Sequence, residues 1–230
     1  TLTREGAAER AFARYASFVL TGTASDSYST DADFGESEVE KQFLSQTKNP
    51  AFWDTSIELL ESAQKAYSEL ENSDELLTDL MNYYTECLEF LKNFESYPSI
   101  SVDIMEEFYL RDGREVMIDT VIETYTPYAE DTSSVVANYA QVMKQTAEAL
   151  ANKLDFYTNS GCLVDGSFNA ECVANFEEAD EIPEAVEISD ELESTARNFA
   201  ERTAARVRTG ALDMLAEAKD FVKPEDKNEN

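Results

Sequence analysis

Apolar side chains recur along this chain every three to four positions, the spacing that lines one face of an α-helix. Between 55 and 71 the stripe is Ile57, Leu60, Ala63, Tyr67 and Leu70. Between 73 and 94 it is Leu77, Leu80, Tyr84, Cys87, Leu91 and Phe94, with Ser73 reading as the N-cap. Asn72 and Ser73 leave room only for a tight turn, so these two helices pair antiparallel. The pattern returns over 132–157 with Val135, Tyr139, Val142, Thr146, Leu150 and Tyr157. It is longest over 189–222, with Leu192, Phe199, Thr203, Val207, Met214 and Phe221 separated by small Ala steps. An Ala-rich helix is predicted over 4–19, a polar loop over 21–35 and a short helix over 36–45. Pro50, Pro98, Pro127, Pro183 and Pro224 fall at the ends of periodic segments and divide the chain into helical pieces.

Residues 99–125 fit two patterns. Asp112-Gly113 suits the type I′ turn of a hairpin, which would set Phe108 opposite Met117 and Ile104 opposite Val121. It would also set Glu106 opposite Asp119, an unfavourable like-charge pair. The helical alternative puts Ile104, Met105, Phe108 and Tyr109 on one stripe, and helix–turn–helix is the preferred reading. A small β-hairpin at 100–125 is the alternative. The expected fold is therefore mainly α: a single-domain bundle of about five to seven helices over 1–223, followed by a flexible acidic tail at 224–230.

Composition adds a core and a very large charge. Of 230 residues 43% are hydrophobic and 11% aromatic, enough to bury a core. No run approaches the length of a membrane-spanning helix. The first six residues lack the apolar stretch of a signal peptide, which fits a chain without one or a chain numbered after its removal. Forty-eight acidic side chains face eighteen basic ones, for a net charge of −30. Direct binding to nucleic acid requires a basic patch, so this charge argues against it. There is no His, which removes imidazole-based triads, His-ligated zinc and di-iron sites built on Glu-x-x-His. The composition resembles that of proteins from salt-loving organisms, where molar salt shortens the Debye length to about 3 Å and relieves self-repulsion.

The charge is unevenly spread. Residues 1–20 carry +1, residues 191–223 carry zero, and 21–190 carry −29. Seven of the nine Arg lie in the two Ala-rich ends: Arg4, Arg10, Arg14, Arg197, Arg202, Arg206 and Arg208. One reading pairs them with the chain's own acidic body. The other makes them an interface for another copy or another protein, since Arg suits bidentate pairing with carboxylates.

Cys162 and Cys172 bracket a Gly-containing loop that a disulfide can close, worth roughly 2–3 kcal/mol. Such a bond points to an extracellular or virion location, and free thiols to a cytoplasmic one. Cys87, on an apolar stripe, is expected as a buried free thiol. No Asn begins an Asn-x-Ser/Thr acceptor. Ser29, Asp31, Asp33, Gly35, Ser37 and Glu40 imitate a calcium loop poorly, because Ser29 stands where Asp belongs and the glycine is one position late. No phosphate-cradling loop or nucleophile elbow is present. Tyr83-Tyr84 and Tyr125-Thr-Pro-Tyr128 read as interhelix packing.

The expected function is association with another protein or with itself, without catalysis, cofactor or metal. A structural or accessory subunit of a surface, virion or multi-subunit assembly in a high-salt environment fits this description. The alternatives are an extracytoplasmic ligand-sensing helical bundle and a DNA-mimicking inhibitor.

Overall fold

In the computed structural model, which describes residues 3–27 and 36–220, the chain forms ten helices and one two-stranded hairpin. The fold is thus mainly α, a helical bundle with a small β-hairpin. The calcium-like loop lies mostly, and the tail 224–230 wholly, outside the described residues. The chain groups into two compact units, 1–94 with 201–230, and 95–200.

The first unit contains α1 (Arg4–Thr21), α2 (Glu36–Gln46), α3 (Ala51–Ser68) and α4 (Glu75–Lys92). Most of α10 (Phe199–Asp220) belongs to it as well. Thr3 starts α1 by accepting the Gly6 N–H at 3.0 Å, and Gly22 ends it at φ +79°, where the missing Cβ removes the strain. Small residues on α1 allow close approach to α2 and α3, and Phe12, Tyr15, Val19 and Leu20 are buried there. Phe12 meets Tyr67 edge-on, and Phe18 stacks on Phe52 at 5.4 Å. Helix α3 begins directly after Pro50, one turn before the expected Thr55, because Phe52 and Ser56 already face the core. The cap of α4 is Asp74 and not Ser73. Asp74 Oδ1 accepts the Leu76 N–H at 2.9 Å, and Tyr67 Oη accepts the Asp74 N–H at 2.6 Å.

In the second unit, α7 (Ser134–Asn159) is the central helix, packed against α5 (Val102–Asp112), α6 (Arg114–Ala129) and α9 (Glu184–Arg197). Over 100–125 the hairpin alternative is not formed. Ser101 caps α5, and Gly113 at φ +94° closes it with its N–H on Tyr109 O at 2.9 Å before α6 begins. The hairpin lies instead at 163–168, with β1 (Leu163–Val164) antiparallel to β2 (Ser167–Phe168) and Asp165-Gly166 at positive φ between them. Pro127 sits inside the last stretch of α6 rather than beyond its end. The periodic run 189–222 is two helices, α9 and α10, separated by Asn198 at φ −105° and ψ 12°. That break, and α8 (Ala170–Glu178), too short to show a stripe of its own, raise the helix count above the expected five to seven.

Candidate functional site

The terminal Arg side chains have partners inside the chain. In the first unit, Arg10 and Arg14 share Asp26 at 3.5 and 2.9 Å. Arg4 reaches the Glu69 carbonyl at 3.5 Å, Arg206 donates to Tyr83 Oη at 3.1 Å, and Arg208 lies 3.7 Å from Glu40. Arg202 is exposed on α10 and also has an interaction partner. In the second unit, Arg197 pairs with Asp103 at 3.1 Å. The seven residues grouped as one candidate interface are divided between the units, six in the first and Arg197 in the second.

A polar cluster that sequence reasoning missed ties the helices of the second unit together. Lys153 of α7 donates to Asp190 at 2.7 Å and to Glu193 at 3.0 Å, both on α9. Ser189 Oγ donates to the same Glu193 oxygen at 3.1 Å. The Lys153 and Glu193 side chains are only 20% and 12% exposed. Burial works against the ammonium, but hydrogen bonds to the two carboxylates outweigh it and hold the Lys153 pKa above its ordinary value. Glu106 of α5 faces the same group, and its carboxyl is pushed up by burial, with Asp103 and Glu193 adding to that and Lys153 opposing it. Nearby, Asp155 of α7 accepts from Tyr109 Oη at 2.5 Å and from Arg114 at 2.7 Å, which fastens α5 and α6 to α7. In the sequence Lys153 stands out as the one base between Lys144 and Arg197, but nothing there singles out its carboxylate partners. Ser189 is fully buried and Lys153 is engaged by two carboxylates, so the cluster lacks an accessible nucleophile beside a free base.

The end of α7 carries the disulfide between Cys162 and Cys172, with Cα atoms 5.3 Å apart. It closes over an aromatic group: Phe156 meets Phe176 at 5.2 Å, and Tyr157 meets Phe168 at 6.1 Å. An open cleft of about 380 Å³ beside the bond is lined by Ser160, Asn169, Glu171, Cys172, Asn175 and Phe176. In the first unit a second cleft, about 360 Å³, lies between the start of α1 and the α3–α4 turn.

The core of the first unit holds an unexpected phenol, Tyr15, and the expected buried thiol, Cys87. Tyr15 is fully buried and its hydroxyl has no hydrogen-bond partner among the described residues. Burial first, then the proximity of Tyr84 and Cys87, makes its phenol very hard to ionise. Cys87 is a buried free thiol, pushed up to about 11 by burial. A buried neutral thiol is a poor nucleophile, so packing describes it better than chemistry.

The outer face of α9 is different in kind. Glu184, Glu187, Ile188 and Glu191 recur at helical spacing and are all exposed, Ile188 by 46%. Its inner face buries Val186 and Ser189. From residue 154 to 196 the chain has twelve carboxylates and no base, and Val164 and Phe168 of the hairpin are exposed within that stretch.

Among the described residues no helix is long and apolar enough to cross a membrane. No protein-family model matches the chain, and no curated protein or solved structure matches it either.

Proposed function

We propose that this protein works by association, without catalysis, as an accessory or structural subunit that receives a cationic protein segment on the outer face of α9. The observation carrying this reading is Ile188, an exposed apolar side chain flanked by Glu184, Glu187 and Glu191 in a stretch devoid of bases. A partner that covers Ile188 gains from desolvating it. The surrounding carboxylates select for Lys and Arg around the partner's apolar anchor. In molar salt the charge contribution is screened and the contact at Ile188 carries more of the affinity. The polar side chains of the Lys153 cluster are engaged in holding helices together, which supports a binding role over a catalytic one. The disulfide supports an oxidising location.

The test uses the full chain and a synthetic amphipathic helix of Lys and Leu, followed by calorimetry and NMR shift mapping at 0.1 M NaCl. Saturable binding mapped to 184–191, weakened at least about tenfold by Ile188→Asp or by Glu187→Lys with Glu191→Lys, is expected. Shifts spread over all acidic surfaces, or an unchanged affinity in these variants, would sink the reading.

A second reading places self-association on the Arg-bearing ends. The observation favouring it is that Arg10 and Arg14 remain 47% and 45% exposed although both pair with Asp26. Sedimentation of Arg202→Glu, Arg206→Glu, Arg208→Glu would then show a loss of oligomer, and an unchanged mass would dispose of it.

A further inference from the structure

Helix α8 buries none of its nine residues. Its side-chain attachments include the disulfide from Cys172 to the fully buried Cys162 and the ring of Phe176 against Phe156, with Val173 and Ala174 half-buried. At its start, Asn169 caps it through the Cys172 N–H and anchors to Cys162 O at 2.8 Å. At its end the chain turns through Asp180 at φ +52°. Every charged group on and just after the helix is acidic: Glu171, Glu177, Glu178, Asp180 and Glu181. Around Tyr157 the charge of Glu177 adds to those of Asp190 and Glu193 of α9, with Lys153 opposing them. A helix this short is not stable by itself in water, and it has no base of its own to pair with its carboxylates.

We propose that the Cys162–Cys172 bond is a reducible latch, and that a dithiol reductant releases α8 while the rest of the second unit stays folded. Cys172 lines the open cleft and is partly exposed, whereas Cys162 is buried, so the reductant's thiolate attacks Cys172 Sγ. The S–S bond breaks as a mixed disulfide forms at Cys172, and Cys162 leaves as a thiolate. The reductant's second thiol then closes its own disulfide and frees Cys172. Two electrons and two protons pass from the dithiol to the pair of cysteines. Release removes Phe176 from Phe156 and turns an ordered acidic helix into an acidic strand of chain beside α7. The switch is independent of what binds α9.

The test is hydrogen exchange of the full chain before and after reduction by dithiothreitol, with alkylation and mass confirming that Cys162 and Cys172 are both free. Amides 173–178 should exchange about 50-fold faster after reduction, the size expected from losing a short-loop disulfide, while amides 140–154 of α7 change less than about twofold. Unchanged protection of α8 after complete reduction would overturn the proposal, and so would loss of protection throughout α7, since the bond would then staple the whole unit. Phe176→Ala separates the two attachments without touching a cysteine. With the disulfide intact, α8 should stay protected in this variant, and its release would show that the ring and not the bond is the latch.

Discussion

The ring of Tyr84 on α4 lies directly over Gly210 of α10, so that a Cβ built at Gly210 would stand 2.6 Å from the Tyr84 hydroxyl oxygen. Tyr84 is 8% exposed and its ring lies 5.6 Å from that of Tyr83, so it has little room to retreat. Gly210→Ala should therefore lower stability by about 1–2 kcal/mol, although Ala is the better helix former by about 1 kcal/mol. In a Tyr84→Leu background the same change should become neutral or stabilising. Urea midpoints of the four proteins check the reversal of sign, and simple additivity would refute the close contact.

Among the described residues Lys153 is the one base paired with Asp190 and Glu193. Lys153→Met should cost about 2–4 kcal/mol, because it leaves Glu193 largely buried with Ser189 Oγ as its remaining partner. Glu193→Gln, which keeps acceptors for Lys153 and Ser189, should cost less than half as much. A smaller loss for Lys153→Met than for removing the exposed pair Arg14–Asp26 would contradict the assigned burial.

Alkaline pH should destabilise the first unit through Cys87. The thiol's folded pKa is raised from 9.0 to about 11, so the unfolded chain releases its proton first. Stability is full below pH 9 and falls as pH rises from 9 toward 11, by about 2–3 kcal/mol at most. Tyr15, whose folded pKa is also raised, acts in the same direction at higher pH. Cys87→Ala should flatten the 9–11 part of a stability–pH curve while lowering its plateau. An equal slope with and without the thiol would rule out this source.

Raising NaCl from 10 mM to 1 M should move the urea midpoint upward. A net charge of −30 repels itself over a Debye length that shrinks from about 30 to about 3 Å across this range. Exposed pairs such as Arg14–Asp26 lose some of their small contribution meanwhile, but they are worth under about 1 kcal/mol each. A midpoint that falls with salt would count against the halophile-like reading of the composition.

The helical periods were legible because each long helix presents one buried stripe: α7 buries all six residues that its spacing named, whereas α4 buries Leu77, Tyr84 and Cys87 of the named set, leaves Leu80 exposed, and adds Met81, Leu88 and Phe90. Turn chemistry was legible only in part. The Asp-Gly signal occurs twice, at 112–113 and at 165–166, and it makes a hairpin only at the second. At the first, Met105, Met117, Val121 and Tyr125 are buried at helical spacing, so tertiary burial outweighs the local turn preference and Gly113 serves as a helix cap. At the second, the disulfide and the aromatic cover of Tyr157 and Phe168 hold two very short strands together. Asn198 was missed for the opposite reason: the apolar spacing runs on through it, and only backbone angles reveal the break. For the candidate site, the disulfide was readable from its loop. The Lys153 cluster was not, because three of forty-eight carboxylates cannot be singled out until α5, α7 and α9 are side by side.

The base-free stretch also governs how the protein can be taken apart. A protease that cuts after Lys or Arg finds no site from 154 to 196, so Leu154 to Arg197 leaves as one fragment holding the hairpin, α8, α9 and both bonded cysteines. The disulfide therefore links no two peptides, and its oxidation state is written only as the mass of two hydrogen atoms. The cut that opens this fragment falls at Lys153, whose side chain is held by Asp190 and Glu193. Resistance at that single bond thus reports directly on whether α9 is seated.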